Sequence, residues 1–154
     1  MQWSTRKNGG FSQADEKELV CPVIKEGKFG YQKLNVVFQQ KDPDSLLNWM
    51  EKLIRVRIKC IEFGHGNYTF LNTGDNRVMA HSSMLNKEIS VVLHNLSKHP
   101  VKIKLDLYNQ DISELNELFA DDVKYSSYEK GKPLEINPYG YRWFKGKLCS
   151  YYHS

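Results

Sequence analysis

The side chains that could do chemistry are scattered. The five histidines are His65, His81, His94, His99 and His153, and no two stand four apart on a helical pattern. The three cysteines, Cys21, Cys60 and Cys149, are far apart in sequence. Zinc sites need ligands in closely spaced pairs, so no metal site is expected. Three unpaired thiols suit a reducing, cytoplasmic setting. Adjacent carboxylates occur at Asp15-Glu16 and Asp121-Asp122. Glycoside chemistry needs two carboxyls on opposite sides of a bond, about 5–10 Å apart. Sequence neighbours do not provide that and read as solvated loop charges. Gly64-His65-Gly66 leads into a strand pattern rather than a helix, so it is no phosphate loop. No serine sits in a Gly-x-Ser-x-Gly elbow. These residues predict no catalytic group, no metal and no cofactor.

The frame around them is that of a globular chain. Its 154 residues make one domain, or one domain plus a remnant. They are 40% hydrophobic and 26% charged, and no run reaches the roughly 18 apolar residues of a membrane span. The longest apolar stretch, residues 89–96, is broken by Ser90, His94 and Asn95. The first residues show no secretory leader pattern, so the expected compartment is the cytoplasm. Net charge is +4. All of it resides in residues 1–60, spread over a helix and loops. Nucleic-acid binders cluster their basic residues on one face, so neither nucleic acid nor membrane is an expected partner.

Residues 1–41 have no sustained period and are punctuated by Gly9-Gly10, Pro22, Gly27 and Gly30. They read as loop with short extended pieces. Trp3, Phe11, Phe29, Tyr31 and Phe38 make that loop aromatic, as though it lay on a surface outside the chain. Residues 42–60 read as one long helix. Asp42 is the expected N-cap, Pro43 the first helical residue, and Leu46, Leu47, Met50, Leu53, Ile54 and Ile58 the apolar stripe. From residue 66 the period changes to two. Strands are expected at 68–71, 78–85, 88–96, 101–107, 115–119, 134–136 and 139–144, separated by turn residues. Short strands at this spacing predict a mainly β fold, an antiparallel sandwich.

Three stretches carry a resemblance. Met1-Gln-Trp-Ser4 is followed by Asn8-Gly-Gly-Phe-Ser12. Asn35-Val36 leads through Asp42-Pro-Asp-Ser-Leu-Leu-Asn-Trp-Met50 to Ile54-Arg-Val-Arg57. His94-Asn-Leu-Ser97 is followed much later by Pro138-Tyr-Gly-Tyr-Arg-Trp-Phe144. In this order the sequence resembles the C-terminal part of the trehalose synthases (maltose α-D-glucosyltransferases), in the α-amylase superfamily, glycoside hydrolase family thirteen. The resemblance covers nearly the whole chain and tapers after Phe144. Two departures stand out. Arg6 and Lys7 replace the usual Asp and Arg after the Trp, and His81 stands where an aromatic Tyr is more usual.

The resemblance implies an anatomy. Residues 1–60 would be the end of a (β/α)8 barrel, a loop plus its last helix. Residues 61–154 would be the Greek-key sandwich of the α-amylase C-terminal type. The family works by a retaining mechanism, with an Asp nucleophile, a Glu acid/base and a second Asp. All lie on barrel strands upstream of the Met-Gln-Trp motif, so the chain would be an inactive, structural C-terminal piece. The parent enzyme would interconvert maltose and trehalose. Barrel sites sit at the C-terminal ends of the strands, so Gln2, Trp3, Asn8 and Phe11 would approach the sugar in the intact enzyme or else brace the rim. The implied partner is the barrel, in cis or as a separate chain that this one complements. Without it, the barrel-facing side of helix 42–60 would leave an apolar patch able to self-associate. The alternative is a free-standing α-glucan-binding sandwich, with Tyr139, Tyr141 and Trp143 alternating as a sugar platform.

Overall fold

A computed structural model describes residues 1–105, 107, 112–122 and 128–148. Cys149 and His153 lie outside the described residues. The chain divides into two compact units, Met1–Arg55 and Val56–Ser154.

The first unit is built from turns and helices. Two 3-10 turns occupy Lys7–Gly10 and Glu16–Glu18. Helix α1 spans Val36–Lys41, where loop was expected. Asn35 starts it, its Oδ1 accepting the Phe38 N–H at 3.0 Å. Two β-branched residues in a six-residue element hide this helix from a periodicity reading.

Helix α2 spans Leu46–Lys59, starting three residues later than the expected first helical residue, Pro43. Asp42 is not its cap. Its backbone N–H closes α1 onto Phe38 and Gln39, and its carboxylate accepts the Asp44 N–H at 3.0 Å. Ser45 caps α2 instead. Its carbonyl accepts the Trp49 N–H, and its Oγ accepts the Asn48 N–H at 3.2 Å and donates to the Gln39 carbonyl. The Asn48 amide donates to the carbonyls of Gln39, Gln40 and Asp42. Helix ends leave carbonyls short of intrahelical partners, and Asn48 adds to the bonds that the Gln39 and Asp42 carbonyls already accept from the Asp42 and Ser45 N–H groups. The 42–50 motif is therefore a splice between two helices. Ser45→Ala is expected to cost about 1 kcal/mol, read as a lowered unfolding midpoint and faster amide exchange at Asn48.

The described strands of the second unit all pair antiparallel, as the period of two predicts. One-turn α3, Glu62–His65, leads into β1, Asn67–Phe70. Then come β2 (Val78–Leu85), β3 (Glu88–Asn95), β4 (Val101–Ile103), β5 (Ile112–Ala120), β6 (Leu134–Ile136) and β7 (Tyr141–Leu148). Among the described residues the strands form a five-stranded sheet in the order β1-β2-β3-β7-β5 and a two-stranded sheet, β4-β6. The chain crosses between sheets after β3, β4, β5 and β6, the interleaving expected of a Greek key. β4 stops short of the expected strand to Leu107, yet Leu105 and Leu107 still pack on the core.

Both sheets share one core. Ile89, Val91 and Leu93 of β3 and Phe144 of β7 meet Val101, Ile103, Leu134 and Ile136 of the small sheet. Fully buried Arg142 lies in the same layer, its Nε 2.6 Å from Glu117 Oε1 on edge strand β5 and its guanidinium over the Phe144 ring. A register shift between Glu117 and Phe119 bends β5. It lets Glu117 reach inward to Arg142 while Phe119 lies on the opposite face against Tyr141.

Candidate functional site

Two regions bear on function. The first holds Gln2, Trp3, Asn8 and Phe11. The Gln2 amide donates to the carbonyls of Phe29 and Leu34 at 3.0 and 2.6 Å. Asn8 is buried, and its amide donates to the carbonyls of Ser12 and Ala14. Asn8 and Gly9 both have positive φ, 54° and 68°, which turns the chain so that the Gly9 carbonyl accepts the N–H groups of Trp3 and Ser4. The Gln2 and Trp3 carbonyls accept the N–H groups of Val36 and Val37 and so anchor the start of α1. Trp3 and Phe11 are exposed. Gln2 also lines an open, mostly apolar groove of about 500 Å³ with Ile24, Phe29, Leu34 and Leu47. The amide donors hold the loop, while two aromatic rings face outward.

The second region is the outer face of the large sheet. Alternation along β7 sends Arg142 and Phe144 to the core and Tyr141 and Trp143 to the other side. Register carries that face across the sheet. His94 lies opposite Tyr141, Val92 opposite Trp143, His81 opposite Val92 and Phe70 opposite His81. The rings touch in series. Phe119 lies 4.9 Å from Tyr141, Phe63 lies 5.5 Å from Trp143, and Tyr68 lies 4.6 Å from His81. His81 thus fills an aromatic position as a ring. A cavity of about 270 Å³ opens here, walled by Arg57, Phe63, Tyr68, His81, His94 and Trp143. Of the three residues of the alternative sugar platform, Tyr141 and Trp143 share this face on β7. Tyr139 lies in the turn before β7 with φ 53°, off the strand's face.

Burial holds His81 below its ordinary value of 6.5, and the neighbouring His94 adds to the effect. Burial alone does the same for His94. The folded state therefore binds fewer protons than the unfolded chain below about pH 6.5. The contribution of the neutral rings is complete above that pH and is lost as pH falls through it. The unfolding free energy is expected to fall as pH drops below about 6.5, by at most about 1.4 kcal/mol per pH unit for each ring. His81→Phe should flatten that decline. An unchanged slope would remove His81 from the explanation.

The third motif of the sequence is a latch at the end of this sheet. Asn95 is buried, and its amide donates to the carbonyls of His99, Ile136 and Asn137. Its Oδ1 accepts from the N–H and hydroxyl of Ser97. Asp121 is not a merely solvated charge. Its carboxylate accepts the Tyr141 N–H at 2.9 Å and the Asn137 amide at 3.2 Å. A Cβ at Gly140 would stand 2.8 Å from both carboxylate oxygens and 2.9 Å from the Asn137 backbone carbonyl oxygen, so the turn would have to shift to admit a side chain. Asp15 and Glu18 form a capping box around the second 3-10 turn. Among the described residues no three His, Cys, Asp or Glu side chains converge on a common point. No described helix is long and apolar enough to cross a membrane.

Residues 88–145 match the model of the sucrose hydrolase-like C-terminal domain. A trehalose synthase of Pimelobacter sp. (strain R48) is 29% identical over 149 residues, which is 94% of this chain and 26% of that protein. A trehalose synthase of Thermus thermophilus is 30% identical over 145 residues, 94% of this chain and 15% of that protein. The trehalulose synthase MutB of Pseudomonas mesoacidophila MX-45 superposes with a TM-score of 0.73 at 20% identity, over 95% of this chain and 24% of that one. The chain thus spans about a quarter or less of the proteins it matches. The resemblance drawn from the three motifs holds, and the mainly β, antiparallel fold is that of the α-amylase C-terminal domain.

Proposed function

We propose that this chain, a C-terminal segment of the trehalose synthase type in the α-amylase superfamily, serves a larger enzyme that interconverts maltose and trehalose by intramolecular glucosyl transfer. The observation that carries the reading is one of proportion: 94% of the chain matches, against 26% or 15% of the relatives. In this reading residues 1–60 complete a (β/α)8 barrel and residues 61–154 form the sandwich beside it. The catalytic carboxylates belong to the barrel, and the chain by itself is structural. Of the four motif residues assigned to the sugar site, Trp3 and Phe11 offer exposed rings that suit stacking on a pyranose. Gln2 and Asn8 support them by bracing the loop.

The barrel is the partner, in cis or as a separate chain. Leu46 and Ile58 of α2 are 67% and 70% exposed, and Met50 and Ile54 are exposed between them. Such a stripe suits a covered surface, and the chain alone is expected to self-associate through it. A clean monomer by light scattering at high concentration would count against that. The free thiols of Cys21 and Cys60 suit a cytoplasmic enzyme.

The test is an immunoblot of source cells with an antibody to this chain. A band several times heavier than 18.0 kDa supports the reading. A band only at 18.0 kDa overturns it, unless a catalytic barrel co-purifies with the chain. Turnover of maltose by the purified chain alone would remove the structural role.

A further inference from the structure

We propose that residues 60–66 form a strap, clamped on the large sheet by the buried Glu62–Lys145 ion pair, that opens as a unit of its own and governs access to the Cys60 thiol. The inference concerns the second unit alone. It stands whether or not the reading of a parent enzyme holds.

The strap runs from the end of α2 through α3 to the start of β1. Register sets a polar row beneath it, with Ser83 on β2 opposite Ser90 on β3, and Ser90 opposite Lys145 on β7. Each member of the row meets the strap. Ser83 Oγ donates to the Glu62 carbonyl at 2.5 Å. The Ser90 hydroxyl lies against the Cys60 thiol. Lys145 Nζ stands 2.9 Å from Glu62 Oε1 and 2.6 Å from Glu88 Oε2, so one ammonium ties the strap to β3 as well as β7. At the far end, a Cβ on Gly66 would stand 2.7 Å from the Met84 carbonyl oxygen, so the strap's backbone lies directly on β2.

These fastenings are polar. Cys60, Glu62, Ser83 and Ser90 are 1%, 0%, 2% and 0% exposed. None of residues 60–66 belongs to the apolar core that the two sheets share. Phe63 adds one apolar contact, edge-on to the Trp143 ring at 5.5 Å. A buried ion pair adds little net stability over apolar packing, yet it holds one geometry. Loosening the clamp therefore frees the strap and leaves the core filled. Segments with few buried apolar contacts are the ones that open locally.

Closure also silences the thiol. Burial pushes Cys60 above its ordinary value, and the thiolate is the reactive form. Once the strap lifts, the thiol regains water and its usual nucleophilicity.

That reactivity supplies the test. Cys21→Ser and Cys149→Ser leave Cys60 as the single thiol. An aromatic disulfide reagent is added in increasing urea. The Cys60 thiolate attacks one sulfur, a mixed disulfide forms, and the released aromatic thiolate is read by its colour. Local opening exposes little surface. The rate is therefore expected to stay flat at low urea and to steepen only where global unfolding takes over. A rate that climbs steeply from the first addition of urea means that only global unfolding reaches Cys60, and it overturns the proposal. Glu62→Gln removes a hydrogen bond to a charged group and should raise the flat rate at least about tenfold. No change there takes the ion pair out of the clamp, which also overturns it. If that variant does not fold, Ser83→Ala decides, with a rise of about two- to tenfold expected and an unchanged rate fatal.

Discussion

Glu117→Ala is expected to lower the unfolding free energy by about 1.5–3 kcal/mol, the range for a hydrogen bond to a charged group. Arg142 is fully buried and Glu117 Oε1 lies 2.6 Å from its Nε. The remaining contacts of the guanidinium include the Glu135 carbonyl at 3.4 Å and the Phe144 ring. Removal of Glu117 takes a 2.6 Å charged hydrogen bond from a fully buried guanidinium. Arg142→Met removes the charge and keeps most of the volume, so its cost should be smaller. Urea unfolding of the two variants decides the matter. Equal losses, or a larger loss for Arg142→Met, would mean that the side chain matters for its packing and not for its pairing.

The second large effect belongs to Asn95. Its alanine variant should lose about 3 kcal/mol, because a buried side chain that serves three carbonyls and two Ser97 groups is removed at once. Asn95→Asp makes a sharper version. It keeps the acceptor for Ser97 but offers no amide donor to His99, Ile136 and Asn137, and it sets a charge beside their carbonyls. Both variants should unfold at lower temperature, with faster amide exchange at Ser97 for alanine only. Retention of wild-type stability by either would mean that the turn after β6 holds without this latch.

The strands are the legible part of the fold. Val78–Leu85 and Leu134–Ile136 stand where alternation and turn residues put them. Tyr139 misleads because period two continues through it, although its positive φ places it in the turn. The start of α2 is hard to place because Asp42-Pro43 carries every mark of a helix beginning. Only the tertiary arrangement shows Asp42 closing α1 and Ser45 opening α2. The outer aromatic face is half legible. Tyr141 and Trp143 pair from spacing alone, but Tyr68, His81 and Phe119 join them through register and through a bulge that no local pattern announces. The third motif is visible as a resemblance, and its physical content, a hydrogen-bonded latch, is not.

The order of strands in the large sheet has a consequence for synthesis. β7 lies between β3 and β5, and edge strand β5 meets the large sheet through β7 alone. A growing chain makes β3 about fifty residues before the strand that pairs with it, and β5 emerges before its partner exists. Until β7 arrives, β3 presents an unpaired edge and Glu117 waits without its arginine. Long-range pairing of this kind folds slowly and exposes sticky edges meanwhile. Slowing translation upstream of β7 would lengthen that vulnerable interval, and a chaperone that shields strand edges would matter most just then.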